Sequence, residues 1–188
     1  MSDRCLRLLG ISIVGSVLLL ATGCTNTLRE LRGVNYLDYG HYDLAIEDFT
    51  EVIQHDPANA EAYYNRGTAY ASKGEYDLAI ADFDMAIELR HKYWQAYANR
   101  GIAYLRLNDY DRAIADLTQA MEAYPVLGLP LDTNRSDRAI LYNNRARAYY
   151  GAQQYDNAWD DTEMAQRLGV KFEPDFLYEL RKATGRDM

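Results

Sequence analysis

Small and aromatic residues return along the chain in a fixed phase. Gly67, Tyr70, Tyr76, Ala79, Phe83 and Ala86 are matched 34 residues earlier by Gly33, Tyr36, Tyr42, Ala45, Phe49 and Val52, and 34 residues later by Gly101, Tyr104, Tyr110, Ala113, Leu117 and Ala120. A period in this range marks a solenoid of stacked helical hairpins. Gly67, Gly101 and Ala146 are small where the two helices of one hairpin must approach, and Ala79, Ala113 and Ala158 supply the matching flat spot on the second helix. A larger side chain at either place would push the helices apart. Tyr63, Tyr70, Ile80 and Phe83 recur at helical spacing to fill the space around that contact, each contributing about 1.5–3 kcal/mol when fully buried. Gly40 and Gly74 fall between the helices, where a residue with positive φ ends the first one; Asn108 also suits that conformation, whereas Gln153 suits it poorly. Asp43, Asp77, Asp111 and Asp156 fall near the starts of the second helices, where exposed N–H groups favour an acid, and Pro57 and Pro125 stop second helices.

These residues carry a resemblance to the tetratricopeptide repeat, whose unit places an aromatic at position 4, Gly or Ala at 8, Tyr at 11, Ala at 20, an aromatic at 24, Ala at 27 and Pro at 32. Phased this way, the units run 26–59, 60–93, 94–127 and 139–172. The resemblance implies an all-α fold, an α-α superhelical solenoid of about four hairpins. Unit one has Arg29 where an aromatic is expected, which predicts a first helix that is frayed or supported by a membrane. Residues 128–138, GLPLDTNRSDR, form an insertion that reads as a surface loop, with Ser136 as the N-cap of the following helix. Residues 174–184 place Phe176, Leu177 and Leu180 on one helical face, with Arg181 and Lys182 in the last turn. That segment reads as the capping helix a solenoid needs at its open end.

The N-terminus reads as an address. Arg4 and Arg7 precede an apolar run from Leu8 to Ala21, short for a membrane span and suited to a signal-peptide core. Leu20-Ala21-Thr22-Gly23-Cys24 resembles the bacterial lipobox. The resemblance implies that residues 1–23 are a lipoprotein signal peptide, that Cys24 is acylated with palmitate-like chains, and that residues 24–188 form the mature repeat domain. Thr25 stands where an Asp would imply inner-membrane retention, so the implied place is the outer membrane, facing the periplasm. Buried acyl chains at about 0.8 kcal/mol per CH₂ make a stable anchor without a membrane-spanning helix. The first repeat begins near Asn26, leaving almost no tether, so the first hairpin is expected close to the bilayer.

Charge narrows the partners. With 28 acidic against 20 basic residues the net charge is −8, which repels phosphate backbones and argues against nucleic acid. Cys5 and Cys24 both lie in the N-terminal segment and give no disulfide framework. Most of the 17 tyrosines stand at repeat-defining positions.

Every unit carries Arg at position 7 (Arg32, Arg66, Arg100, Arg145) and Asp at position 23 (Asp48, Asp82, Asp116, Asp161). The repetition predicts a structural ladder of ion pairs between second helices and neighbouring first helices. The concave groove is expected along first-helix positions 2, 5, 9, 12 and 13. From these and the asparagines at position 6, the candidate peptide-binding set is Tyr64, Asn65, Thr68, Asn99, Ile102, Arg106, Asn143, Arg147 and Tyr150, with Gly151 also on the lining. Asn65, Asn99 and Asn144 serve either hairpin packing or ligand contact. Tyr64 and Tyr150 are not repeat-consensus tyrosines. Arg106 and Arg147 beside Ile102 and Leu105 suit a peptide with a carboxylate and an apolar anchor. Chaperone-tail clamps of the family grip a terminal carboxylate with Lys and Asn; the matching positions here hold Glu30, Asn35, Asn65, Gln95 and Asn99, so that mode is not expected.

His41, His55 and His91 lack metal-ligand spacing, no Gly-rich phosphate loop occurs, and the adjacent Asp160 and Asp161 point to different helix faces. No catalytic residue, metal or cofactor is assigned. The sequence reads as a non-enzymatic scaffold or assembly adaptor of the bacterial cell envelope, held to the membrane by its lipid and binding a protein or peptide partner. The alternative is a self-associating structural lipoprotein, a homodimer built on exposed repeat ends.

Overall fold

The computed structural model describes residues 13–124 and 135–186, with side chains from residue 26 onward. Arg4, Cys5, Arg7, the Cys24 side chain, Pro125 and insertion residues 128–134 lie outside that description. Among the described residues there are nine helices and no strand: α1 (Ile13–Asp38), α2 (Tyr42–His55), α3 (Ala60–Lys73), α4 (Tyr76–Leu89), α5 (Trp94–Arg106), α6 (Tyr110–Ala123), α7 (Arg135–Gly151), α8 (Tyr155–Arg167) and α9 (Pro174–Thr184). They form four hairpins, α1/α2 to α7/α8, closed by α9 packed on α8. None of these helices is long and apolar enough to cross a membrane.

Small residues set the spacing within each hairpin. A Cβ at Gly33, Gly67 or Gly101 would stand 2.8, 2.8 or 2.9 Å from Phe49, Phe83 or Leu117, well inside carbon–carbon contact distance. Only glycine lets the second-helix side chain lie flat against the first helix there. Ala45, Ala79, Ala113 and Ala158 are fully buried opposite, beside Phe49, Phe83, Leu117 and Trp159.

The turns inside the hairpins repeat one geometry. Gly40, Gly74, Asn108 and Gln153 all take positive φ, between 60° and 81°. At the second turn the N–H groups of Gly74 and Glu75 donate to the carbonyls of Ala71 and Tyr70; at the fourth, those of Gln153 and Gln154 donate to Tyr150 and Tyr149. The same pair of backbone bonds therefore carries Gln153 into a conformation that costs a side-chain-bearing residue about 1–2 kcal/mol. Asp43, Asp77, Asp111 and Asp156 occupy the first turns of the second helices.

Two local expectations are corrected. The first helix of unit one is not frayed: α1 runs unbroken to Asp38, and Arg29, in place of the expected aromatic, pairs with Glu51 of α2 at 2.5 Å. The last residues of the insertion, expected to be loop, are helical, because α7 already begins at Arg135. Ser136 therefore lies in the first turn rather than capping it. Arg135 draws the helix start forward by donating to the carbonyls of Leu168 and Arg167 at 3.1 and 3.0 Å.

Each buried second-helix aspartate receives a two-pronged guanidinium from the first helix of its own hairpin. Arg66 meets Asp82 at 2.8 and 2.7 Å, Arg100 meets Asp116 at 2.7 Å through both nitrogens, and Arg145 meets Asp161 at 2.7 and 2.9 Å. Arg32 pairs with Asp48 in the same way. The position-7 and position-23 residues therefore pair within a hairpin, and the contact between units uses the remaining nitrogen and other acceptors: Nη1 of Arg66, Arg100 and Arg145 reaches back to Thr50, Asp84 and Thr118 of the preceding second helix. Replacing Arg100 with Met leaves the Asp116 carboxylate, 6% exposed, without its partner. The expected loss is about 3 kcal/mol, the low end for a broken buried pair because the guanidinium keeps some contact with water. Chemical denaturation measures it, and an unchanged midpoint would contradict this role. Arg32→Met, whose guanidinium side chain is half exposed, is expected to cost less.

Candidate functional site

Successive first helices touch one another (α1 to α3, α3 to α5, α5 to α7), whereas successive second helices make no comparable contact among the described residues. The first helices therefore line the inner side of the curve, where a ligand would lie against side chains of several units at once.

At the seam between α3 and α5 the sequence-picked residues meet each other. The Tyr64 ring packs 5.0 Å from Tyr93 and 6.0 Å from Phe83. Asn99 Nδ2 donates to the Tyr64 hydroxyl at 3.2 Å and lies 3.4 Å from Thr68 Oγ1, while the Thr68 hydroxyl donates to the Tyr64 carbonyl at 2.9 Å. Tyr64, Thr68 and Asn99 are half-buried in this network, and Asn65 is half-buried beside it in α3. Burial pushes the Tyr64 phenol above its ordinary value, opposed by hydrogen bonds from Thr68 and Asn99. Burial, reinforced by Tyr64 and Glu61, pushes Tyr93 up to about 12.

At unit four the groove positions are covered by the C-terminal cap. Tyr150 packs against Tyr155 and Phe176, with ring centres 5.6 and 5.2 Å away, and Phe172 stacks on Phe176. Arg147 donates to Glu173 at 2.8 Å, lies over the Phe172 and Phe176 rings and contacts Asn143. Gly151 abuts the Tyr110 ring of α6 and so supports packing between hairpins rather than lining a groove. Tyr150 and Gly151 are thus corrected from free lining to half-buried packing contacts, and Arg147 from a free cation to one in a surface pair with Glu173.

What stays open is narrower. Ile102 and Leu105 are half-buried on α5, next to the exposed Arg106, which makes no ion pair among the described residues; Ala71 and Ser72 of α3 lie beside them on the groove register. Further along, Ile140 and Asn143 of α7 share an open depression of about 550 Å³ with Leu168, Gly169 and Val170. Sequence reasoning missed that last trio, which lies in the connection to the cap. The one signal available was Gly169, whose φ of 98° requires glycine.

Among the described residues no cluster of His, Cys, Asp and Glu could hold a metal ion. His41, His55 and His91 are exposed. Asp161 belongs to the ion-pair ladder, while exposed Asp160 meets Arg186 at 3.2 Å.

Tyr64→Phe is expected to lower stability by about 1 kcal/mol, the worth of a part-buried hydrogen bond with its donor left behind. An unchanged melting temperature would show that the bond to Asn99 contributes nothing. The raised Tyr93 value sets an alkaline limit as well. The unfolded phenol ionises near pH 10 while the folded one resists until about 12. The associated stabilisation is complete below pH 10 and is lost as the pH rises towards 12, and absorbance titration of Tyr93→Phe against the parent measures it.

Tetratricopeptide-repeat family models match residues 31–97 and 94–125, together half of the chain. A search of curated proteins finds no match. Among solved structures, the second tetratricopeptide domain of human RPAP3 in complex with the HSP70 peptide SGPTIEEVD is 28% identical with a TM-score of 0.55, covering 64% of this chain and 91% of that one. The TPR2B domain of yeast Sti1, in its pHsp70 complex, is 27% identical with a TM-score of 0.57, over 69% and 96%. MamA from Desulfovibrio magneticus RS-1, 22% identical with a TM-score of 0.69 over 86% and 84%, shares the fold. The repeat phase, the four hairpins and these matches agree that the chain belongs to the tetratricopeptide-repeat family.

Proposed function

We propose that this protein is a lipid-anchored scaffold or adaptor of the bacterial cell envelope, which captures a segment of a partner protein on the inner face of its repeats. The observation that carries the binding half of this reading is the strip formed by Ile102, Leu105 and Arg106. It joins half-buried apolar side chains to an exposed arginine that makes no ion pair among the described residues, an arrangement suited to a peptide with one carboxylate and an apolar anchor. The relatives in human RPAP3 and yeast Sti1, both in complexes with HSP70-type peptides, support peptide capture as the mode. The anchoring half rests on the lipobox-like residues ending at Cys24 and on Thr25 after it, which favour the outer membrane and its periplasmic side. The reading assigns no catalysis.

The narrowed strip also narrows the ligand. Arg147 is taken by Glu173, so a single acidic contact near Arg106 replaces the pair of arginines suggested by the sequence alone. The double variant Ile102→Asp, Arg106→Glu changes a half-buried and an exposed residue. It is expected to fold with an unchanged helical circular dichroism spectrum and to lose a specific partner in crosslinking from cell envelopes; retention of that partner would sink the groove reading. Cys24→Ala is expected to abolish incorporation of labelled palmitate and release the chain from membranes. Undiminished labelling would remove the anchor.

A further inference from the structure

The two ends of the solenoid are finished differently. At the C-terminus α9 covers α8 with Leu180 fully buried. Among the described residues no hairpin precedes α1, and the register position that packs on one in later units is exposed. Leu28 is 66% exposed, although its counterparts Ala62, Ala96 and Leu141 are at most 1% exposed against the preceding second helix. Leu31 and Val34 add 59% and 39% exposure on the same helix. Three large apolar side chains at three-residue intervals form a continuous stripe, beyond the scattered single residues that need no explanation.

The stripe is graded. Its apolar members stand nearest the start of the described side chains. Further along α1 come Asn35, where later units carry buried Ala69, Ala103 and Ala148, and then exposed Asp38. A surface made for another repeat or for a second copy would continue apolar through position 35, as it does in every later unit. A surface that enters an apolar medium from one end would stop there. What lies at that end is stated by the sequence: the run from Leu8 to Ala21 and then Cys24, four and seven residues before Leu28 and Leu31. α1 passes through all of these positions from Ile13 without a break, so about 10 Å of rigid helix separates residue 24 from Leu31. The chain has no linker with which to hold the face away from whatever residue 24 is embedded in.

We propose that Leu28, Leu31 and Val34 lie in the interfacial layer of the lipid bilayer that holds the N-terminus, so that the membrane takes the place of the missing preceding hairpin. The proposal rests on the membrane-anchor reading of the N-terminal segment and adds the surface and its orientation. An amphipathic helix rests about 5–10 Å into the headgroup boundary, which the stripe can reach. The contact is apolar in origin. The two cations of the described part of α1, Arg29 and Arg32, are engaged by Glu51 and Asp48, so anionic lipid offers no added attraction through them.

The test uses the full chain, bound to vesicles of phosphatidylcholine at high dilution, in three single-cysteine replacements: Leu31→Cys, Asp38→Cys and Leu78→Cys. All three sites are exposed. Labelling by a water-soluble maleimide is assigned to each position by mass spectrometry of the digested protein. Position 31 is expected to react at least about tenfold more slowly than positions 38 and 78, because the reactive thiolate is disfavoured in an apolar layer. Equal protection is expected when phosphatidylglycerol is included. Flotation of the vesicles and acylation of Cys24 are read in the same samples. A chain that floats with its vesicles while position 31 reacts as fast as position 78 would overturn the face proposal and leave the anchor standing. Protection of position 31 without acylation at Cys24 would uphold the face and refute the lipid. Protection that vanishes on dilution, or a crosslink between two copies at position 31, would assign the stripe to a second copy and overturn the proposal.

Discussion

Four carboxylates buried at one register of the second helices hold this molecule in its form. Asp48, Asp82, Asp116 and Asp161 are each no more than 6% exposed, and a carboxylate removed that far from water needs a partner that is both charged and hydrogen-bonding. Arginine meets the requirement with a planar fork. Because the fork accepts only one approach, it fixes the translation of the first helix along the second. In units two to four the remaining nitrogen extends to the previous unit, so one side chain sets the geometry of the hairpin and of the stack. A small residue at position 8, glycine in units one to three and Ala146 in unit four, then allows the approach that the fork demands.

The extent to which this was legible in sequence follows from how far each interaction reaches. Gly33, Gly67 and Gly101 announced close contacts because the need for a small residue lies within the hairpin and repeats with it. Position 23 was legible for the same reason. Tyr64 was not, because its fate depends on what the end of its unit and the start of the next set opposite: Tyr93 and Asn99 turn it from a lone groove tyrosine into part of a seam. Tyr150 and Arg147 depend on still more remote residues, Glu173, Phe172 and Phe176. The periodicity of α9 declares a helix but not which side chains it will cover. Ser136 misled for the same reason, since Arg135 finds its carbonyl partners across the fold at Leu168 and Arg167.

These differences distribute the inner side unevenly. Units two and three keep it open, unit four packs Tyr150 against the cap while Ile140 and Asn143 still line an open depression, and unit one is occupied with its own helix pair and with whatever lies beyond α1. The acidic balance of the chain makes Arg106, exposed on the strip of α5 and in no ion pair among the described residues, a locally distinctive feature.

The turn residues Gly40, Gly74, Asn108 and Gln153 form a sequence of rising backbone strain from one end of the stack to the other. Glycine accepts the left-handed conformation freely, asparagine with some cost and glutamine with more. The turn itself therefore costs more in the last two hairpins, while the hairpin nearest residue 24 keeps an unstrained turn. Any loosening of the α7/α8 hairpin would reach the strip on α5, because Ile102 and Leu105 pack against clusters that include Leu141 and Ala148 of α7.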